Sequence, residues 1–194
     1  MSVISTWPDT GLRHRVSVAE FGRMAEADVF DPEARLELVD GEILEMSPIK
    51  EPHAYAVDAL TMLLGEQLGR RGVLRVQSSI VCGEYSQPQP DVAVLAPPIT
   101  RYRTRHPGVD DILLLIEVAD ATLRFDRQVK VPIYSREGIR EAWLVDIPNR
   151  RVEVFRQPTP DGYASATAHH LGSVISPTAF PEVEIAVAEL VPER

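Results

Sequence analysis

The chain has 194 residues and a formal net charge of −9 at pH 7. This length can bury a sizeable core in one domain without disulfides or a structural metal. Proteins that bind nucleic acid mainly by neutralising its phosphates are usually basic, so the negative charge argues against placing this chain in that class. Any contact with nucleic acid is therefore expected to be local.

The cysteine content and the N-terminus bear on the cellular compartment. Cys82 is the single cysteine, which excludes an intramolecular disulfide and the paired-cysteine zinc motifs. Residues 1–15 lack the continuous apolar core of a signal peptide, and no apolar run approaches the roughly 20 residues that span a bilayer. We therefore expect a cytoplasmic protein without a membrane association.

The N-terminal part divides into a lead-in and the start of a helix. Residues 1–16 show no periodicity and predict an extended or poorly ordered lead-in, followed by a single domain over residues 17–194. Ser17 and Glu20 have the spacing of a capping box, which predicts a helix that ends before Pro32.

A hairpin and a long helix are predicted next. Asp40-Gly41 between two alternating segments is a strong turn signal and predicts a hairpin over residues 35–46. Glu37 in its first strand is either a solvent-facing acid or a functional one. Helical spacing of apolar residues then predicts an amphipathic helix over about 52–69. His53 in its first turn is a surface or capping residue, or it is a functional one that takes part in catalysis or contacts nucleic acid.

Two strands and a basic loop follow. The β-branched content of residues 73–82 predicts one strand, and residues 91–95 predict a second one that starts with a carboxylate. The loop after it contains Arg101, Arg103 and Arg105 within six residues, together with one aromatic side chain. This loop is either a solvated surface segment or the local contact with phosphate.

The central strand carries the main functional signal. Residues 112–116 are all aliphatic, which is typical of a strand covered on both faces, and the run ends in the carboxylate of Glu117. An ionised carboxylate at the rim of an apolar sheet is costly without a partner. Lys130 is one candidate, and Asp91 lies near the start of the preceding strand, so these three residues form a testable group.

The remaining elements complete an α/β pattern. A helix is predicted over 125–136, and Pro132 requires that it begins a few residues before the proline or kinks there. Residues 141–146 and 151–155 predict an antiparallel strand pair at the edge of the sheet. Short strand-like pieces after residue 157 predict a small C-terminal β-extension. The order of elements favours an α/β domain with a mixed central sheet flanked by helices.

The sequence lacks the motifs of several common enzyme classes. No glycine-rich phosphate loop follows a strand, and no Gly-x-Ser-x-Gly nucleophile elbow is present. The pair His169-His170 lacks a carboxylate at metal-ligand spacing and is predicted to be a surface pair. Carboxylates on adjacent strands with one lysine suit metal-assisted phosphodiester cleavage, in which oxygen ligands hold Mg²⁺ or Mn²⁺. The alternative is a salt-bridged rim of the sheet.

Separate segments of the chain, in order from about residue 17 to 190, resemble the Uma-type restriction endonuclease family of the PD-(D/E)XK nuclease superfamily. The segments that carry the resemblance are residues 37–43, Ser47-Pro48 with His53, 90–94, 116–118, 126–130 with Tyr134, and 138–146. Each segment is short, and the specificity comes from their agreement in order.

The resemblance implies a restriction-endonuclease-like core and a set of site residues. It implies Asp91 and Glu117 as metal ligands, with the Val118 carbonyl completing the set, and Glu37 as an additional acid. The commonest superfamily motif has its lysine two residues after the second acid, where this chain has alanine. The resemblance therefore implies Lys130, on the following helix, as the catalytic lysine.

Function, cofactor and partners follow from the same resemblance. It implies cleavage of DNA with Mg²⁺ or Mn²⁺, and the oligomeric state stays open, with a homodimer as one option. Asp120, next to the site, is either a further ligand or a helix cap. Two other classes remain as hypotheses: a non-catalytic interaction module that keeps the nuclease fold, and a small-molecule phosphohydrolase.

Overall fold

The computed structural model describes residues 14–191. The strands are β1 (Leu36–Val39), β2 (Glu42–Glu45), β3 (Val73–Val76), β4 (Val92–Leu95), β5 (Ile112–Ala119), β6 (Glu141–Asp146), β7 (Arg151–Thr159), β8 (Gly162–His170), β9 (Val174–Ile175) and β10 (Ile185–Ala186). The helices are α1 (Val18–Glu26), α2 (Glu51–Leu68), α3 (Leu123–Phe125), α4 (Val131–Arg136) and α5 (Val187–Leu190), with 3₁₀ turns at Ile99–Tyr102 and Val109–Asp111 and a π-helical segment at Asp126–Lys130.

A six-stranded sheet in the order β3-β4-β5-β6-β7-β8 forms the centre of the fold. The pair β5/β6 is parallel and the other neighbours are antiparallel, so the sheet is mixed. The hairpin β1/β2 and the C-terminal pair β9/β10 form two small separate sheets. This architecture confirms the predicted fold class, including the small C-terminal extension.

The sheet is covered on both faces, as the aliphatic run of β5 requires. On one face, α2 and α5 pack their leucines on a core that includes Val92, Ile116 and Trp143. On the other face, α4 and the hairpin cover a core that includes Leu115 and Leu144. Glu117 alternates with Ile116 along β5 and therefore lies on this second face.

Local sequence signals place α1 and the hairpin as predicted. The Ser17 hydroxyl accepts from the Glu20 N–H, and the Glu20 carboxylate accepts from the Ser17 N–H, which completes the capping box. Asp40 and Gly41 have φ of 50° and 86°, the conformation of a two-residue hairpin turn. Residues 1–13 of the predicted lead-in lie outside the described residues. The end of the lead-in contacts the hairpin, because Val16 donates its N–H to the Gly41 carbonyl.

Two strand predictions are wrong. The predicted strand over 73–82 ends at Val76, because Gln77 has a φ of 44° and turns its N–H toward the Asp91 carbonyl. The predicted edge pair β6/β7 lies inside the sheet, because the nine-residue strand β8 pairs with β7 along its length. The pieces predicted after residue 157 are thus partly a strand of the main sheet.

At Pro132 the helix neither begins nor kinks sharply. The π-helical segment runs into α4, with the Val131 N–H bonded to the Asp126 carbonyl, and Pro132 occupies the first turn of α4. A first-turn position does not require a backbone donor, so the proline is accommodated there. Within residues 14–191, no helix combines the length and the apolar character that crossing a bilayer would require.

Candidate active site

A cleft of about 900 Å³ opens on the face of the sheet that carries Glu117. Val92 pairs with Ile116 in the antiparallel ladder, so Asp91 lies directly opposite Glu117 on the neighbouring strand. Directly opposed residues point to the same face of a sheet. The structure therefore brings the two carboxylates of the predicted metal pair to the same wall of one cleft.

Asp91 is held by donors from three elements. Its Oδ2 accepts the N–H of Val118 at 2.8 Å, which ties it to β5. Its Oδ1 lies 2.8 Å from His53 Nε2 and 3.2 Å from Gln77 Nε2. The hydrogen bond to Asp91 raises the pKa of His53 against the effect of burial. His53 is thus neither a helix cap nor a free surface histidine, because its imidazole orients a carboxylate of the cleft.

Lys130 lies among the other carboxylates. Its Nζ is 3.0 Å from Glu37 Oε2 and 3.4 Å from Glu117 Oε1, and its side chain is 6% exposed. Tyr134, one helical turn further on, donates its hydroxyl to Glu117 Oε1 at 2.5 Å. Burial alone would lower the pKa of Lys130, but the surrounding carboxylates outweigh it and raise this pKa. Lys130 is therefore a buried, charged ammonium in the cleft.

Asp126 adds a carboxylate that the sequence prediction of the site did not include. It lines the cleft and accepts the Thr122 hydroxyl at 2.6 Å. We call Glu37, Asp91, Glu117 and Asp126 the acidic cluster. Burial, with help from neighbouring carboxylates and against the charge of Lys130, raises the pKa of Glu117 to about 8 and that of Asp126 to about 6. Glu117 therefore keeps a proton near neutral pH in the metal-free cleft, where the single ammonium of Lys130 faces four carboxyl groups.

The π-helical segment is fixed from its far side. Arg127 donates to Asp146 Oδ2 at 3.1 Å and to both carboxylate oxygens of Glu153. Asp146 is fully buried at the end of β6 and also accepts from Arg151. This network attaches the segment to β6 and β7, so Asp126 and Lys130 both reach the cleft from a segment that cannot rotate freely.

The hairpin that carries Glu37 is attached at its turn. Arg15 and Arg136 both form ion pairs with the Asp40 carboxylate, and the Arg15 guanidinium also stacks on an aromatic ring. Gln89 donates its N–H to Glu37 Oε2 at 3.2 Å. Of the two alternatives for Glu37, the structure excludes the solvent-facing acid, because its side chain is 6% exposed and contacts Lys130.

The oxygen ligands that the cleft offers suit a hard divalent cation that keeps several bound waters. Within residues 14–191, no three His, Cys, Asp or Glu side chains form a ready-made metal cage. Two opposed carboxylates with a backbone carbonyl are the sparser set that Mg²⁺ uses when water completes its octahedron. A cation beside Glu117 would also favour the ionised form of this carboxyl group, which burial disfavours.

The basic loop lies away from this cleft. It follows the opposite end of β4 from Asp91, and four strand residues span about 14 Å. Arg105 forms two hydrogen bonds with the buried Asp111, and Arg101 lies 3.5 Å from the same carboxylate. Two of the predicted nucleic-acid contacts are therefore paired with a buried carboxylate, while all three arginines of the loop are exposed.

Further polar residues line the cleft, among them Asp120, whose role the sequence left open, and two cations that were not predicted as site residues. Asp120 lines the cleft, and it is not the helix cap, because α3 begins after Thr122. Lys50 and Arg35 line the same cleft, together with the acid Glu45. The spacing Lys130 to Tyr134 was a usable signal for the tyrosine, since residues four apart share a helix face.

Comparison with known proteins gave two findings. The family model described as "Uma2: Putative restriction endonuclease" matches residues 18–188. A solved structure, described as a putative nuclease belonging to DUF820 from Anabaena variabilis, is similar with a TM-score of 0.71 and 14% sequence identity, over 90% of this chain and 97% of that chain. At that identity the similarity concerns the fold. A search of curated proteins found no match.

Proposed function

Since the chain belongs to the Uma2 family, whose description is that of restriction endonucleases, we propose that it is a metal-dependent endonuclease that cleaves DNA in this cleft. The observation that carries the proposal is the contact of Lys130 with both Glu37 and Glu117, beside an opposed aspartate. A purely structural salt bridge needs one acid for one lysine, whereas the acidic cluster retains an excess of carboxylates.

Each residue has a role that follows from its contacts. Asp91, Glu117 and the Val118 carbonyl would hold Mg²⁺ or Mn²⁺, which would supply positive charge at the phosphate and lower the pKa of a water. The Lys130 ammonium is fixed in the cleft and would stabilise negative charge that develops on the phosphate. Glu37 keeps this ammonium in position, so we assign it to positioning Lys130.

The cleft also suggests how DNA is held. Lys50 and Arg35 line the cleft and would contact the phosphates next to the cleaved bond, and His53 lines the same cleft in contact with Asp91. Arg103 would add a more distant contact. With a net charge of −9, these few cations would give weak binding that depends on salt concentration.

The test compares cleavage of plasmid and single-stranded DNA by the wild type and by Lys130→Met, with Mg²⁺, Mn²⁺ or EDTA. We expect Lys130→Met to lower the rate by about 10²- to 10³-fold, the value of a single fixed contact with developing charge. Because Lys130 compensates the acidic cluster, the metal-free variant should be less stable, and Mn²⁺ should restore its stability. Calorimetric titration should show that Mn²⁺ still binds.

Lys50→Met is the matched control, since it removes the same charge at the exposed mouth of the cleft. It should weaken DNA binding and flatten its salt dependence without changing the rate at saturating DNA. Cleavage that survives both EDTA and Lys130→Met would contradict the proposed mechanism. If no form of DNA is cut with either metal, the non-catalytic module becomes the better description of this protein.

A further inference from the structure

The strand β8 is an unprotected edge of the central sheet. It forms the last strand of the sheet, and within residues 14–191 no segment pairs with its outer side. Its nine residues, GYASATAHH, contain no Asp, Glu, Lys, Arg or Pro, although these charged types make up 25% of the chain. Natural edge strands usually carry charges, prolines or bulges, because free backbone groups attract other strands.

The opposite edge of the sheet differs in each of these respects. It is formed by β3, which has four residues and contains Arg75. A short, charged edge strand is one of the usual protections against pairing. Directly after β8, the apolar side chains of Leu171 and Val174 are 42% and 55% exposed. The uncharged stretch of β8 therefore continues into exposed apolar side chains.

We propose that β8 pairs with β8 of a second copy of the chain and forms a twofold-symmetric dimer with one continuous sheet of both protomers. A twofold axis requires antiparallel pairing, in which each residue meets its partner reciprocally. All nine residues pair only if the axis passes through Ala166, the middle residue of the strand.

The sequence of β8 suits this self-pairing. With the axis at Ala166, Ala164 lies opposite Ala168 of the second copy, and Ser165 lies opposite Thr167, a pair of hydroxyl residues that stabilises antiparallel strands. The small side chains around the axis allow close approach. No carboxylate or lysine faces a like charge along the strand, which favours a second copy over a charged partner.

The dimer would leave the two clefts independent. From β5 of one protomer to β5 of the other there are seven strand steps, and about 20° of twist at each step adds up to about 140°. The two clefts would then face nearly opposite directions, so neither would contribute residues to the other. Disruption of the dimer should therefore leave the properties of each cleft unchanged.

Cysteine cross-linking tests the register. Cys82 is the single native cysteine and is buried, so an introduced cysteine is the accessible one. Ala166→Cys should form a disulfide-linked dimer on mild oxidation, because directly opposed Cα atoms are about 4.5 to 5.5 Å apart. Ala164→Cys alone should not, since it would lie about 14 Å from its own copy along the strand. A mixture of Ala164→Cys and Ala168→Cys should cross-link.

Analytical ultracentrifugation tests the dimer without cross-linking. Ala166→Lys places two like charges at the axis and should weaken the dimer at least about tenfold, with Mn²⁺ affinity and thermal stability of the monomer unchanged. Ala25→Lys, at an exposed position of α1, is the matched control and should leave the dimer intact. A wild type that is monomeric up to about 100 µM, or equal cross-linking by Ala164→Cys and Ala166→Cys, would overturn the proposal.

Discussion

Replacing Glu117 with glutamine should change how the stability of the metal-free protein depends on pH. Burial raises the pKa of Glu117 from 4.5 to about 8. Between these two pH values the folded state keeps a proton that the unfolded state releases. The associated stability is fully present below pH 4.5 and is lost as pH rises to about 8. At about 1.4 kcal/mol for each pH unit, the loss amounts to about 5 kcal/mol.

The assay is urea unfolding in EDTA between pH 5 and 9. The wild type should lose several kcal/mol across this range, a large part of the stability of a typical domain. Glu117→Gln cannot ionise, so its free energy of unfolding should fall much less. Asp126, whose pKa is about 6, accounts for a smaller decrease that both proteins share at the acidic end.

Asp111→Asn is the control for removing a buried carboxylate elsewhere. The hydrogen bond from Arg105 lowers the pKa of Asp111, so the stability that its charge contributes is present above pH 3.8 and is lost only below it, as pH falls through the lowered pKa. Between pH 5 and 9 this variant should be less stable by a constant amount. Equal pH slopes in the wild type and Glu117→Gln would refute the assignment of the raised pKa to Glu117.

Three further variants test the supports of the site. Tyr134→Phe removes the hydroxyl donated to Glu117 and should weaken Mn²⁺ binding at least about tenfold in calorimetric titration, because outer contacts orient metal ligands. Arg127→Met should lower the free energy of unfolding by about 1 to 3 kcal/mol in urea titrations and reduce DNA cleavage, since Asp146 loses a partner that anchors the π-helical segment. Glu141→Gln, at the opposite end of β6, should cost a similar 1 to 3 kcal/mol while Mn²⁺ affinity stays unchanged.

Much of the fold was predictable because its signals are local. The capping box at Ser17 and the Asp40-Gly41 turn are determined by neighbours within four residues, and the aliphatic run of β5 can only suit a doubly covered strand. The candidate residues Asp91 and Glu117 could be selected since both sit where an apolar strand meets polar sequence. Their separation could not be predicted, because it depends on the register between β4 and β5.

Other features carried no usable local signal. The alternation in β8 involves Ala, Ser and Thr, whose hydrophobicity differs too little to show a strand period. Asp126 resembles any acid in a first helical turn, and its role arises from the backbone path that turns it into the cleft. The capture of Arg101 and Arg105 by Asp111 needs the 3₁₀ turn before β5, which composition does not reveal.

The π-helical turn makes the site unusually sensitive to the length of the chain. A π-helical turn is equivalent to an α-helical turn with one inserted residue. Deleting one residue between Asp126 and Lys130 would give a more regular helix, yet it would rotate everything before it by about 100° relative to α4. Such a deletion could improve the helix while it turns Asp126 away from Lys130. Regular helical geometry therefore favours a segment that is one residue shorter, whereas the assembly of the cleft requires the present length.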